Sequence, residues 1–184
     1  HFGGNVMIDT LHFGLAKLDR QPPPAGEPAP PYAVVTLHRP TNVDEPGQLG
    51  AMLSALVEIA SDMPVYFPIH PRTRKNLAAF GLEGRLAGAA LHLAEPMSYL
   101  HFLRLWRRAA LVVTDSGGIQ EETTFLGVPC FTLRDSTERP VTVSEGTNVL
   151  VGASADKLRA AYRAFRRGEI KRGRVPELWD GHAA

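Results

Sequence analysis

The sequence predicts an α/β protein built on a Rossmann-like, doubly wound parallel sheet. From Tyr32 onward, short apolar runs alternate with longer amphipathic segments. Alternation of this kind is typical of consecutive βαβ units. The longer segments carry their apolar residues on one face, as expected of helices that cover a sheet.

The strands and helices follow from this pattern in chain order. The buried-strand candidates are the apolar runs at 32–37, 65–69, 90–93, 111–114, 130–133 and 149–151. The helical periodicity falls at 46–61, 72–80, 98–108, 118–126 and 154–167. Pro46 suits a first helical turn, and Ser98 and Ser154 are predicted N-caps.

The ends of the chain differ from this central pattern. Residues 1–20 have loosely helical spacing, and 21–31 contain six prolines, which favour a semi-rigid loop. We therefore expect a connecting helix over 1–20, a proline-rich loop over 21–31, a nucleotide-binding domain over 32–170 and a closing segment over 171–184. Because the chain begins with His1 rather than Met, we also expect a piece of a longer protein.

Composition narrows the class of function. The 184 residues carry 20 basic and 19 acidic side chains, which is too even a balance to favour nucleic acid or an anionic membrane as partner. No apolar run approaches the ~20 residues of a membrane span. The single cysteine, Cys130, fits a reducing compartment, so we expect a cytoplasmic protein. The histidine spacing matches no zinc pattern, and no metal or cofactor is expected.

Polar and cationic residues follow the predicted strands. His38 and Arg39 come after the first strand and His70 after the second. Arg134 and Arg139 come after the fifth strand. Ligands of open α/β sheets bind beyond the carboxyl ends of the strands. This edge is therefore a candidate anion site. Two alternatives remain for His38 and His70. Each residue either contacts the nucleotide or does acid–base chemistry, or it is a strand-end histidine whose hydrogen bonds are satisfied by the backbone.

The run Thr114–Glu122 is the strongest local motif. Gly117 and Gly118 allow a ligand to approach the backbone where a helix begins, and a helix N-terminus suits phosphate. Ser116 either caps this helix or donates its hydroxyl to the ligand. Glu121 and Glu122 lie a turn or more further in, and one of them suits sugar hydroxyls better than phosphate. A plain capped helix remains the alternative.

Several segments together resemble one family. These are Thr114–Glu122, Arg134–Pro140, Gly146-Thr147-Asn148, Thr36–Arg39 with Asn42, and Gly4–Asp9. They resemble the C-terminal domain of non-hydrolysing UDP-N-acetylglucosamine 2-epimerases. The resemblance implies one half of a glycosyltransferase-B-type fold with two Rossmann-like domains. It also implies interconversion of UDP-GlcNAc and UDP-ManNAc by elimination and re-addition of UDP, in cell-envelope polysaccharide biosynthesis.

The resemblance also assigns site residues and partners. It implies that Ser116, Gly117 and Gly118 contact the diphosphate and Glu122 the ribose hydroxyls. It places Met97 and Phe102 beside the uracil and implies that Arg139 neutralises phosphate charge. Arg39 and His70 are expected to bind substrate from their positions after strands. His38 is the expected catalytic residue near the leaving UDP. The expected partners are UDP and a UDP-amino sugar, and the full-length protein is expected to be a homodimer.

Two departures qualify this assignment. Thr41 stands where the family usually has Glu. The family's remaining catalytic groups belong to an N-terminal domain that this sequence lacks, so the fragment alone is expected to be inactive. The alternatives are a hydrolysing epimerase or a UDP-sugar glycosyltransferase of the same fold, and a non-catalytic UDP-sugar-binding domain.

Overall fold

The computed structural model describes residues 4–24 and 26–183. Three parts of the predicted segments lie outside this description. They are residues 1–3 of the connecting helix, residue 25 of the proline-rich loop and residue 184 of the closing segment. The strands are β1 (Ala33–Thr36), β2 (Val65–Pro68), β3 (Leu91–Ala94), β4 (Leu111–Thr114), β5 (Cys130–Thr132) and β6 (Asn148–Leu150).

Eight helices and one 3-10 turn accompany the strands in the described part of the chain. The helices are α1 (Val6–Asp19), α2 (Pro40–Val43), α3 (Pro46–Ala60), α4 (Pro71–Ala79), α5 (Tyr99–Trp106), α6 (Gly117–Leu126), α7 (Pro140–Ser144) and α8 (Ala155–Arg166). The 3-10 turn is Glu83–Leu86. Every helix predicted within the domain is present, with ends shifted by one or two residues.

All six strands run parallel in the order β3-β2-β1-β4-β5-β6. The order reverses direction between β1 and β4, which pair along their whole length from Ala33 with Leu111 to Thr36 with Thr114. Such a reversal is the topological switch point of a doubly wound sheet, where a crevice opens beyond the strand ends. The predicted fold class is confirmed.

Two apolar cores lie on opposite faces of the sheet. Successive strand residues point to opposite faces, so Val35 and Val113 join one core while Val34 and Val112 join the other. The first core is covered by α3 and α8 and the second by α1, α5 and α6. Cys130 and Trp106 are buried in the second core.

The position of α1 differs from the expectation of a connector separated from the domain. Ile8 and Leu11 are fully buried and pack with Trp106 in the second core. The closing segment returns to the same place, since Trp179 is buried there and the Ala183 amide donates to Asp9 at 3.2 Å. Helix α1 and the described part of the closing segment are therefore packed on the domain.

Capping residues explain where several of the helices begin and end. Glu45 caps α3 by accepting from the Gly47 and Gln48 amides, and Ser154 caps α8 by accepting from the Lys157 amide. Ser98 holds the N-cap position of α5 but its side chain makes no capping bond, contrary to the simplest expectation. Gly127 ends α6 in the left-handed conformation, with φ of 70°.

Candidate functional site

Asp115 is the centre of the switch point. It follows β4 directly and is fully buried. Its Oδ2 accepts from the backbone amides of His38 and Arg39, at 2.9 and 2.8 Å, and from Asn42 Nδ2 at 3.1 Å. Burial alone raises the pKa of a carboxyl group, but the hydrogen bonds from His38, Arg39 and Asn42 outweigh it and lower the pKa of Asp115. Asp115 is therefore a buried carboxylate that ties the end of β1 to the end of β4.

The same carboxylate orients His38. His38 Nδ1 lies 2.8 Å from Asp115 Oδ1, and two-fifths of the His38 side chain remains exposed. A carboxylate beside Nδ1 favours the imidazole proton on that nitrogen. Because Nδ1 faces Asp115, Nε2 is the ring nitrogen of His38 that can interact with a ligand.

The start of α6 lies next to Asp115. Ser116 holds the N-cap position, yet its side chain makes no capping hydrogen bond within the described structure. The Ser116 amide instead donates to Thr114 Oγ1 at 3.0 Å. The first-turn amides of α6 thus lack the side-chain cap that the plain-helix alternative requires, and these amides suit an anion.

The backbone at Gly117 faces charged side chains across open space. A Cβ built on Gly117 would lie 4.0 Å from both Arg134 Nη1 and Glu138 Oε2, and closer to nothing else beyond its immediate neighbours in the described chain. Arg134 and Glu138 form a two-bond ion pair, which lowers the pKa of Glu138 to about 2. The Arg39 guanidinium is held nearby, with Nε donating to the Asp115 carbonyl at 3.0 Å.

The side chain of Arg139 is nearly half exposed and pairs with a carboxylate of α6. Its Nε is 2.9 Å from Oε2 of the buried Glu121, whose Oε1 accepts from Asn5 Nδ2 at 2.7 Å. Glu121, Glu138 and Arg139 also line a cavity of about 750 Å³ beside the start of α1. In this structure the charge of Arg139 is therefore paired with Glu121.

A second cavity lies on the other side of the switch point. Its volume is about 170 Å³, and its lining includes four of the predicted site residues, His38, His70, Met97 and Phe102. The rings of His38 and His70 have centroids 5.6 Å apart. The fold thus collects residues from beyond β1, β2 and β3 around one space, and their roles in binding stay predictions.

Glu122 is buried beneath Tyr99. The Tyr99 hydroxyl donates to Glu122 Oε1 at 2.7 Å. Burial raises the pKa of Glu122, the bond from Tyr99 lowers it and the nearby Glu121 charge raises it, so that the pKa lies above its usual value. Tyr99 was not among the predicted site residues.

His70 and Thr41 have plainer surroundings. His70 is the N-cap of α4, and its Nδ1 accepts from the Arg72 amide at 3.2 Å, as the backbone-satisfied alternative expects. Thr41 lies exposed in the first turn of α2. Sequence reasoning missed the central role of Asp115, and its position directly after β4 was the available signal.

Residues 4–24 and 26–183 contain neither a candidate membrane span nor a candidate metal site. No helix there has the length and apolar character to cross a membrane. No group of three or more His, Cys, Asp or Glu side chains there is arranged to hold a metal ion.

Comparison with known sequences shows the family. A family model described as UDP-N-acetylglucosamine 2-epimerase matches residues 1–184. The UDP-N-acetylglucosamine 2-epimerase of Methanocaldococcus jannaschii is 47% identical over 130 residues, covering 69% of this chain and 36% of that protein. The UDP-2,3-diacetamido-2,3-dideoxy-D-glucuronate 2-epimerase of Pseudomonas aeruginosa is 40% identical over 165 residues, covering 84% of this chain and 42% of that protein.

Solved structures of UDP-GlcNAc 2-epimerases are also similar to this chain. The Methanocaldococcus jannaschii UDP-GlcNAc 2-epimerase in complex with UDP-GlcNAc and UDP superposes with a TM-score of 0.88 at 36% identity, over 100% of this chain and 52% of that one. The Neisseria meningitidis enzyme bound to UDP-GlcNAc gives 0.76 at 29% identity, over 98% and 49%. This chain spans less than half of those curated relatives and about half of these structures. By fold and by sequence, the chain belongs to the UDP-N-acetylglucosamine 2-epimerase family.

Proposed function

We propose that this chain is the C-terminal, UDP-binding half of a non-hydrolysing UDP-N-acetylglucosamine 2-epimerase, acting on UDP-GlcNAc and UDP-ManNAc. The observation that carries the proposal is the uncapped start of α6 at the switch point, where Gly117 faces the charged side chains of Arg134 and Glu138. Free helix amides beside arginines are suited to a diphosphate. The relatives named for this substrate support the choice of UDP-sugar.

The remaining contacts divide the nucleotide between the two sides of the switch point. In the proposal, the uracil enters the cavity of Met97 and Phe102, and Glu122 accepts from the ribose hydroxyls. A buried carboxylate gives strong charge-assisted bonds to vicinal hydroxyls. The diphosphate lies over Ser116, Gly117 and Gly118, within reach of the arginines.

The chemistry proposed for His38 concerns the leaving group. Elimination breaks the bond between sugar C1 and the UDP oxygen as C2 loses its proton, and gives a 2-acetamidoglucal. Re-addition of UDP at C1 returns a proton to the opposite face of C2. His38, whose Nδ1 is held by Asp115, donates from Nε2 to the diphosphate oxygen on which negative charge develops. The groups that move the C2 proton are expected in the half that this sequence lacks.

Turnover by the full-length protein tests this function. With UDP-GlcNAc as substrate, UDP-ManNAc should accumulate while free UDP stays at trace level. Stoichiometric release of UDP and free ManNAc would show a hydrolysing enzyme instead. Transfer of the sugar only when an acceptor is added would show a glycosyltransferase.

His38→Gln in the full-length protein tests the leaving-group role. Glutamine keeps polarity and similar size but cannot carry the positive charge. We expect kcat to fall by about 100-fold or more while the affinity for UDP changes much less. An unchanged kcat would remove His38 from the chemistry.

A further inference from the structure

A polar network with a buried centre joins the start of α6 to the loop that carries Arg139. Gln120 of α6 and Asn148 of β6 are both completely buried. Asn148 Nδ2 donates to Gln120 Oε1 at 3.0 Å, and Asn148 Oδ1 accepts from Thr132 Oγ1 at 2.6 Å. The network thus crosses from α6 to two neighbouring strands through side chains alone.

One end of the network reaches the proposed phosphate loop. Gln120 Nε2 donates to the Ser116 carbonyl at 2.9 Å, while Gln120 Oε1 also accepts from Thr137 Oγ1 at 2.6 Å. A single side chain therefore contacts both Ser116 and the loop between β5 and α7. Buried amides are costly unless they are paired, and these are paired with good geometry.

The other end of the network fixes the backbone of Arg139 from both sides. The Arg139 amide donates to Thr137 Oγ1 at 3.0 Å. Its carbonyl accepts from Thr142 Oγ1 at 2.7 Å, and that hydroxyl accepts in turn from Asn148 Nδ2 at 3.0 Å. The guanidinium meets Glu121, one residue along α6 from Gln120. Contacts of both its backbone and its side chain thus fix the position of Arg139 relative to α6.

We propose that Thr137 and Gln120 are positioning residues that set Arg139 at a fixed place relative to the start of α6, for recognition of the diphosphate. This inference rests on the proposed function, because it takes the diphosphate to be the ligand of Arg139. The hydroxyl of Thr137 is the connecting atom, since it donates to Gln120 and accepts from Arg139.

The proposal makes the effect specific to one part of the nucleotide. The cavity of His38, His70, Met97 and Phe102 shares no residue with the network. Loosening the network should weaken contacts to phosphate and leave contacts to uridine intact. A purely structural role would instead weaken both or neither.

Thr137→Val tests the proposal, with Thr137→Ser as the conservative variant. Valine keeps the shape and removes the hydroxyl, and Thr137 lies at the half-buried edge of the network, where loss of folding is least expected. Titrations of this chain should show UDP binding about fivefold weaker in Thr137→Val and near wild type in Thr137→Ser, with uridine binding unchanged in both. Thermal melts of each variant confirm folding, and Thr137→Ala replaces valine if valine does not fit.

The double variant with Arg139→Ala identifies the residue through which Thr137 acts. In the Arg139→Ala background, Thr137→Val should have no further effect on UDP affinity. Full additivity, or equal losses for UDP and uridine, would overturn the positioning role. If Arg139→Ala alone leaves UDP affinity unchanged, the inference also fails while UDP binding by the chain stands. If the wild-type chain does not bind UDP, it is the proposed function that fails.

Discussion

Asp115 shows how one buried residue organises this site. A carboxylate without partners would be strongly disfavoured in the interior, but here amide and imidazole groups of the β1 end surround it. The same contacts stabilise the fold and orient His38. Stability and orientation of the histidine should therefore change together when Asp115 is altered.

Asp115→Asn removes the negative charge and places an NH2 group among hydrogen-bond donors. We expect a loss of about 2–3 kcal/mol in the free energy of unfolding at pH 7, measured by urea denaturation. Asp19→Asn is the matched control, because Asp19 lies in an exposed ion pair with Arg107 and should change stability by less than about 1 kcal/mol. Equal effects of the two substitutions would contradict the role of Asp115.

The pH dependence of this difference follows from the lowered pKa of Asp115. A carboxyl group whose pKa is lower in the folded state contributes stability above its unfolded pKa of ~3.9, and that stability is lost as the pH falls through the folded value. The gap in stability between wild type and Asp115→Asn should therefore be full at neutral pH and shrink below about pH 4. A gap that grows on acidification would be inconsistent with the ionised carboxylate.

Glu122→Gln addresses the ribose contact. We expect UDP to bind about tenfold more weakly, because charge-assisted bonds to the hydroxyls are lost, with little change in melting temperature. The raised pKa of Glu122 adds a pH signature: the advantage of wild type over the variant should decline as the pH falls through that raised value. Since the phosphates of UDP titrate as well, calorimetry should compare the ratio of the two affinities. A ratio near one at neutral pH would remove Glu122 from the site.

At the scale of the element, a substitution at the start of α6 distinguishes diphosphate binding from a plain capped helix. Gly117→Ala adds a methyl group that meets nothing closer than 4.0 Å outside its immediate neighbours in the described chain, whereas at Gly118 it would lie 3.3 Å from Met7 Cε. The unliganded Gly117→Ala chain should be as stable as wild type or more stable by ~0.4–1 kcal/mol. UDP affinity should fall by tenfold or more, about 1.4 kcal/mol, because the methyl group occupies the diphosphate position.

Gly84→Ala is the control for that substitution. Gly84 lies in the 3-10 turn, and an added Cβ there meets nothing within 4 Å among the described residues. It should leave UDP binding unchanged. Unchanged binding in Gly117→Ala as well would mean that the diphosphate lies elsewhere.

The elements differ in how far the sequence could predict them. The strands and long helices were predictable because apolar residues recur with the right period, as at Leu49, Leu53 and Leu56 of α3. The helices α2 and α7 are too short to show a period. The contacts of Glu121 with Asn5 and of Glu122 with Tyr99 join residues from different elements, so only the packed fold could place them.

At the scale of the whole molecule, α1 and Trp179 of the closing segment are part of the core. Leu11→Ala in α1 should cost about 2–5 kcal/mol of unfolding free energy, the usual range for a buried leucine. Val6→Ala in the same helix is the control, since Val6 is 60% exposed and should change stability by about 0.5 kcal/mol or less. A small effect at Leu11 would restore the picture of a separate connector.

The central claim is that UDP binds at the β1/β4 switch point, and an NMR titration of the labelled chain with UDP locates the ligand directly. The account predicts that the largest amide shift changes fall on Ser116, Gly117 and Gly118, with a second group around Phe102. Changes confined to the cavity between the proline-rich loop and α5, around Glu27 and His101, would contradict it.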